Sequence, residues 1–353
     1  MRCFFAPESE GHDPDFRLTH GRVERNAERA ERGRLLLAGL ERLGLVTEEP
    51  PACDRADLEA VHTPDFVRFL ETVWPEWQKL PRAGAEVVPN THPQKTMASY
   101  PQSIVGRAGW HMADASCPMG EHSWTATRRA ADCAVAAAEA VLSGERAAYA
   151  LCRPPGHHSD ADSAAGHCLL NNAAIAAGRL RRAHERVAVL DIDVHHGNGT
   201  QAIFYDRADV LTVSVHADPS NYYPFFVGYD HETGSGEGAG FNLNIPLERD
   251  SGNAVWLDAI RRGLARIAEF APGALVVSLG LDAHENDPLR GLAVTTEGFR
   301  DAGRLIADAG LPSVLIQEGG YLSPDLTDNL AAYLGGALGR APARADLQTD
   351  GAR

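Results

Sequence analysis

At 353 residues with 44% apolar side chains, the chain has room for one large α/β domain or two small ones, with a substantial core. Its 33 basic against 48 acidic residues give a net charge of −15, which argues against nucleic acid as a partner. No apolar run reaches the roughly 18 residues of a membrane helix, and six scattered cysteines without a Cys-x-x-Cys pair suggest neither a zinc ribbon nor a disulfide framework.

Reduced thiols in a cytoplasm are the simplest account of those cysteines. The acidic field either draws in cationic substrates or serves solubility alone. Met1-Arg2-Cys3-Phe4-Phe5 lacks the apolar length of a secretory signal and reads as a first strand. Residues 27–43 predict an amphipathic helix stopped at Gly44. Residues 74–124 carry Pro75, Pro81, Pro89, Pro93, Pro101 and Pro118 with little periodicity. They read as a long inserted loop, a lid or an oligomer contact. Ser123 is expected to cap an alanine-rich helix to about Leu142, with Ser143-Gly144 as its stop. A strand at 148–152 and a helix at 169–184 come next. Apolar runs at 187–193, 210–216, 274–282 and 313–317 read as strands, and 253–270, 296–309 and 325–338 as helices. Apolar strands alternating with helices predict an α/β fold whose parallel sheet is covered by helices on both faces. No linker divides the chain, so residues 1–339 are expected to form one domain and 340–353 a polar, disordered tail.

Five stretches end strands in side chains suited to metal-assisted hydrolysis. They are Cys152-Arg153-Pro154-Pro155-Gly156-His157-His158, Asp191-Ile192-Asp193-Val194-His195-His196, Ser214-Val215-His216, Gly280-Leu281-Asp282 and Glu318-Gly319-Gly320-Tyr321. A parallel sheet places its site at the carboxyl ends of its strands. Asp193 and His195, two apart at a strand end, share a face, with His196 pointing away. Asp282 can supply a third ligand, which leaves a position for water as catalytic zinc requires. Two carboxylates and one imidazole also suit iron(II) or cobalt. An isolated Asp-x-Asp-x-His is equally readable as a hydrogen-bond network; the second Asp-bearing strand end and the neighbouring histidines favour metal. Asp191 can orient His157, and Asn198 can orient His158 without adding a charge. One of the two histidines can take a proton from water and return it to the leaving amine. Tyr321 after two glycines can donate to a developing oxyanion, although a tyrosine in that place is by itself better read as packing.

Arg153-Pro154-Pro155-Gly156-His157-His158, Asp191 through Gln201, Glu318-Gly319-Gly320-Tyr321 and Val61-His62-Thr63-Pro64-Asp65-Phe66 together resemble the signature blocks of the histone deacetylase superfamily. Asn198 and Glu318 resemble its class II pattern. Thr72-Val73-Trp74-Pro75-Glu76-Trp77, Phe226-Val227-Gly228-Tyr229 and Glu232-Thr233-Gly234 resemble its bacterial acetylpolyamine-deacetylating branch. The resemblance implies an arginase/deacetylase-like three-layer fold around an eight-stranded parallel sheet. It implies zinc on Asp193, His195 and Asp282, His158 as general acid/base, His157 as electrostatic partner and Tyr321 as oxyanion donor. Gly166 would accept from the substrate amide through its carbonyl. A structural potassium would use Asp191, Asp193, His195, Ser214 and Val215, and a second one Phe204, Arg207 and Val210. A homodimer through 74–124 would narrow the channel.

His167 stands where that family has an aromatic wall; Phe225 would form the opposite wall and Leu289 the rim. Ile104-Val105-Gly106 and Ser116-Cys117 occupy places where acidic residues would greet an ammonium, with Asp114 and Glu121 nearby. Leu289 stands in place of an acidic gatekeeper. The expected function is removal of acetyl or short acyl groups from primary amines, acetylpolyamines or related small acetylated amines. The alternatives are a protein acetyl-lysine deacetylase, an arginase-like two-manganese hydrolase and a silent binding module.

Overall fold

The computed structural model describes residues 1–94 and 98–340. The expected first strand is β1 (Arg2–Phe4), and a hairpin of β2 (Phe16–Thr19) and β3 (Arg22–Arg25) stands apart from the main sheet. Helix α1 (Ala30–Glu41) is shorter at both ends than the 27–43 expectation and leads to the two-residue strand β4 (Thr47–Glu48). After the single turn α2 (Arg55–Leu58) comes α3 (Pro64–Trp77). Thr63 caps α3 by accepting from the Phe66 amide, and Pro64 sits in the first turn, where no N–H is needed.

The inserted stretch is less irregular than its prolines suggest. It contains α4 (Ile104–His111), and Val87 and Met119 exchange backbone hydrogen bonds across it. Eight residues are two turns, too few for a helical period to stand out. In α5 (Ser123–Leu142) the expectation for Ser123 is corrected: it is the first helical residue, not the cap. Its hydroxyl accepts from the Gly120 amide and bonds Nδ1 of His12.

The chain then alternates through β5 (Ala147–Ala150), α6 (Asn172–Leu180), β6 (Val187–Asp191), α7 (Asn198–Phe204), β7 (Val210–Ala217) and β8 (Asn242–Leu247). It closes with α8 (Asn253–Phe270), β9 (Ala274–Leu279), α9 (Thr296–Asp308), β10 (Ser313–Gln317) and α10 (Leu326–Leu338). The strands form one parallel sheet in the order β4-β1-β5-β10-β9-β6-β7-β8. This is the eight-stranded α/β sheet that the resemblance implied. Apolar runs had marked six of the strands; the two they missed, β4 and β8, are the edges. β4 has only two residues, and β8 alternates apolar side chains with the buried Asn242 and Asn244, which donate to Gln201 and Glu232.

Strands β6, β7, β9 and β10 are buried at every position, which is why they read as largely apolar runs. Neighbouring side chains go to opposite faces. Val189 and Val276 pack with the alanines of α5 and α6, whereas Leu190 and Val277 pack with Trp256, Phe299 and Leu330 of α8, α9 and α10. Burying one such side chain stabilises the fold by about 1.5–3 kcal/mol. All six cysteines are free thiols, and among the described residues no helix is long and apolar enough to cross a membrane. From residue 341 on, the expected polar tail lies outside the described residues. Strands β5, β10, β9 and β6 are contiguous and parallel, so the segments leaving them emerge along one edge of the sheet.

Candidate active site and metal centre

Strand β6 ends at Asp191, so alternation along a strand does not bring Asp193 and His195 together. A pair of carboxylate-capped turns does. Asp191 Oδ1 accepts from the Asp193 amide at 3.0 Å, and Asp193 Oδ1 accepts from the His195 amide at 2.9 Å. Asp282, just beyond β9, then joins them: one ligand atom from each of Asp193, His195 and Asp282 lies within 4.8 Å of the others, and all three residues are buried. Nδ1 of His195 stands 3.1 Å from Asp193 Oδ1 and 3.3 Å from Asp282 Oδ2. Asp282 Oδ1 accepts from the Val194 amide, while Oδ2 is buried with no hydrogen-bond partner among the described residues. Burial, and then the neighbouring Asp193 carboxylate, push the Asp282 carboxyl above its usual range. Two buried carboxylates with an orphaned oxygen and one imidazole fit a divalent cation.

The backbone must come close for this to happen. A Cβ on Gly319 would fall 2.0 Å from Asp282 Oδ2 and 2.6 Å from Asp193 Oδ2, and the bare Gly319 amide instead donates to Asp193 Oδ2 at 2.9 Å. Only glycine fits there.

The histidine pair sits beside the cluster with ring centroids 4.0 Å apart. Nδ1 of His157 is 2.9 Å from Asp191 Oδ2, and Nδ1 of His158 is 2.7 Å from Asn198 Oδ1. Both contacts were expected from sequence. Burial works against a charge on His157, but the Asp191 and Asp193 carboxylates outweigh it and raise its pKa well above the usual range. Burial, then the charges of His157 and His195, hold His158 well below it. Glu318 is engaged with the backbone of this turn, accepting from the Gly156 and His157 amides at 2.7 and 3.1 Å. It also approaches His157 and Cys168 closely enough for a second ligand group, although two amides already occupy its carboxylate.

Tyr321 is buried, and burial pushes its phenol well above the usual range, so it stays protonated. Its amide donates to Asp287 Oδ2, and the Arg32 guanidinium lies 4.8 Å over its ring. Arg32 is itself buried, paired with Glu28 and donating to the carbonyls of Gly320 and Glu318. Tyr321, His158, Gly166, His167, His195, Phe225 and Leu289 all line one cavity of about 360 Å³. Gly166 has φ +53°, and a Cβ there would lie 2.4 Å from the His158 ring. The Gly166 carbonyl lies within 3.5 Å of the Cys168 thiol.

Several lining residues escaped the sequence reading. Tyr222 stacks on His195 with centroids 4.9 Å apart and gives its hydroxyl proton to the Leu289 carbonyl. Tyr223 meets His158 edge-on at 4.9 Å, nearer than Phe225, which stands 6.2 Å beyond Tyr223 and is half exposed. Asp114, noted from sequence only as nearby, accepts from the Tyr223 hydroxyl at 2.7 Å and from the Gly166 amide. The run Tyr222-Tyr223-Pro224-Phe225-Phe226 was the available signal: four aromatics in a polar loop. His196 does point away, toward Gln201 and Asn244. Ser214 Oγ bonds His216 Nδ1 at 2.8 Å, and Val215 is buried beside it. Phe204 and Val210 are buried, and the Arg207 guanidinium turns to Asp209 and the Phe204 ring.

The chain matches the histone deacetylase domain over residues 26–337. It is 45% identical over 337 residues to an acetylpolyamine amidohydrolase of Burkholderia pseudomallei (strain 1710b), covering 95% of this chain and 98% of that one. A second acetylpolyamine amidohydrolase, from Mycoplana ramosa, is 37% identical over 343 residues, covering 96% of this chain and all of that one. The crystal structure of an acetylpolyamine aminohydrolase from Burkholderia pseudomallei superposes with a TM-score of 0.92 at 45% identity, over 95% of this chain and 98% of that chain. Every strand that carries the buried Asp193, His195 and Asp282 cluster and its flanking histidines falls within the matched span, and the chain belongs to the histone deacetylase family of hydrolases.

Proposed function

We propose that this chain is a zinc-dependent amidohydrolase that removes an acetyl or similarly short acyl group from a small primary amine. The observation that carries the reading is the buried convergence of Asp193, His195 and Asp282, with one carboxylate oxygen unpartnered, beside a histidine that has an amide and not a carboxylate behind it. A divalent cation held by those three residues supplies Lewis-acid polarisation of the amide carbonyl and acidifies water. His158, kept neutral by its surroundings, takes the proton from the attacking water and gives it to the departing amine. His157, held by Asp191, lends positive charge beside it. Tyr321 donates to the oxygen that gains charge as the carbonyl becomes tetrahedral. The Gly166 carbonyl accepts from the substrate N–H and orients the amide. The collapse breaks the C–N bond, leaving a carboxylate and a protonated amine.

A small acetylated amine is supported by the names of the relatives and by the modest cavity. Potassium beneath the site, and a homodimer through 74–124, belong to the same proposal. The Ser214 hydroxyl already has a partner in His216, so any potassium there would be held mainly by backbone carbonyls and Asp191. Stripping the metal and restoring zinc, iron(II) or cobalt singly, while following acetate release from acetylputrescine and an acetyl-lysine peptide, tests the reading. Activity should vanish on chelation and return with one equivalent per chain. Full activity without metal would overturn it, and a need for two equivalents would favour the arginase-like alternative.

A further inference from the structure

The chain carries a charge of −15, yet among the described residues no acidic side chain lines the cavity that leads to the metal cluster. The charged residues of its mouth are Arg17, Arg249 and Arg290. They come from three separate places: strand β2 of the hairpin, the turn after β8, and the turn beyond Asp282. Arg290 is offset by Asp250, 2.5 Å away. Among the described residues neither Arg17 nor Arg249 forms an ion pair, although Glu24 lies opposite Arg17 in the hairpin register. The Arg249 guanidinium lies 5.3 Å over the Tyr222 ring, which in turn stacks on His195. An unpaired cation therefore stands one aromatic ring above a candidate metal ligand. Two acids bonded to lining residues are spent on internal contacts. Asp114 holds Tyr223 and Gly166, and Asp287 accepts from the Tyr321 and Leu289 amides.

A substrate ending in an ammonium would bring like charge to this mouth. One ending in a carboxylate would meet planar donor forks that match it. Resting on the amidohydrolase reading above, we propose that the preferred substrate is an acylated amine whose far end bears a carboxylate, an ω-acylamino acid, gripped by Arg17 and Arg249. Water adds across the amide C–N bond: the acyl carbon takes the hydroxyl and leaves as a carboxylate, and the nitrogen takes the proton and leaves as the free amino acid.

Three amides of similar length and different end charge decide the matter: 5-acetamidopentanoate, N-pentylacetamide and acetylputrescine. At low salt kcat/KM should favour the anion over the neutral amide by about tenfold, mainly through KM, with the ammonium compound last. That advantage should shrink at about 0.5 M salt, where the Debye length falls below roughly 5 Å. In Arg17→Ala and in Arg249→Ala the anion-to-neutral ratio should fall to about threefold, the loss of one charge contact each. Equal or better turnover of acetylputrescine by the unaltered protein overturns the inference and leaves the amidohydrolase reading intact. Failure to hydrolyse any of the three, the neutral amide included, overturns both.

Discussion

Nδ1 of His158 rests 2.7 Å from the side-chain oxygen of Asn198, a neutral partner where the adjacent His157 has the carboxylate of Asp191. The difference sets the two imidazoles apart. A carboxylate favours imidazolium; an amide oxygen fixes the tautomer without adding charge. Replacing Asn198 by Asp should raise the pKa of the proposed base. The acid limb of the kcat/KM profile should then move up by about 1–2 pH units. A profile that stays in place would remove His158 from the role.

Tyr321 keeps its proton, and among the described residues its hydroxyl has no hydrogen-bond partner, as a donor reserved for substrate requires. Tyr321→Phe should lower kcat by about 10²–10³ while metal content stays at one equivalent and KM changes little. Full turnover in that variant would reassign the oxyanion contact.

Gly319 is held to a bare backbone by the two carboxylates it faces. Gly319→Ala should push Asp282 and Asp193 apart and weaken metal binding by at least about tenfold, the scale seen when groups supporting a metal site are lost. Competition with a coloured chelator reads the affinity, and circular dichroism separates a displaced site from a lost fold. Unchanged affinity would mean that the cluster does not depend on this approach.

His62 is buried, and its Nε2 accepts from the Asn171 amide at the start of α6 with a separation of 2.9 Å. Burial holds its pKa down to about 4, so the folded state resists a proton that the unfolded chain accepts near 6.5. The associated stability is fully present above about pH 6.5 and is lost as the pH falls toward 4, to a limit of about 3 kcal/mol. His62→Gln should show a shallower fall in Tm between pH 7 and 4 than the unaltered chain at equal metal loading. Parallel curves would assign the acid sensitivity elsewhere, for instance to His216, which burial also holds at about 4.

Much of this protein was legible in its residues. Unbroken apolar runs at β6, β9 and β10 announced a parallel sheet covered on both faces. The polar groups just past these strands announced where its chemistry sits, because a buried strand can carry such groups only where it emerges. The chemistry of these side chains also suggested the pairing of Asp191 with His157 and of Asn198 with His158. The edge β4 was invisible because two residues make no pattern, β8 because buried asparagines interrupt its apolar side chains, and α4 because two turns make no period.

Sequence alone therefore determined most of the strand cores, six of the helices and the inventory of reactive side chains, since local periodicity and burial depend on neighbours along the chain. Helices α3 and α7 went unread. Only the tertiary structure decided that Asp282 meets Asp193 and His195 across a sheet order that runs out of sequence order, that Asp114 crosses from the inserted stretch to hold Tyr223, and that Arg17 and Arg249 share one mouth. Those meetings join residues as far as 232 positions apart in the numbering, from Arg17 to Arg249, and no pattern confined to a short window records which distant surfaces will be pressed together.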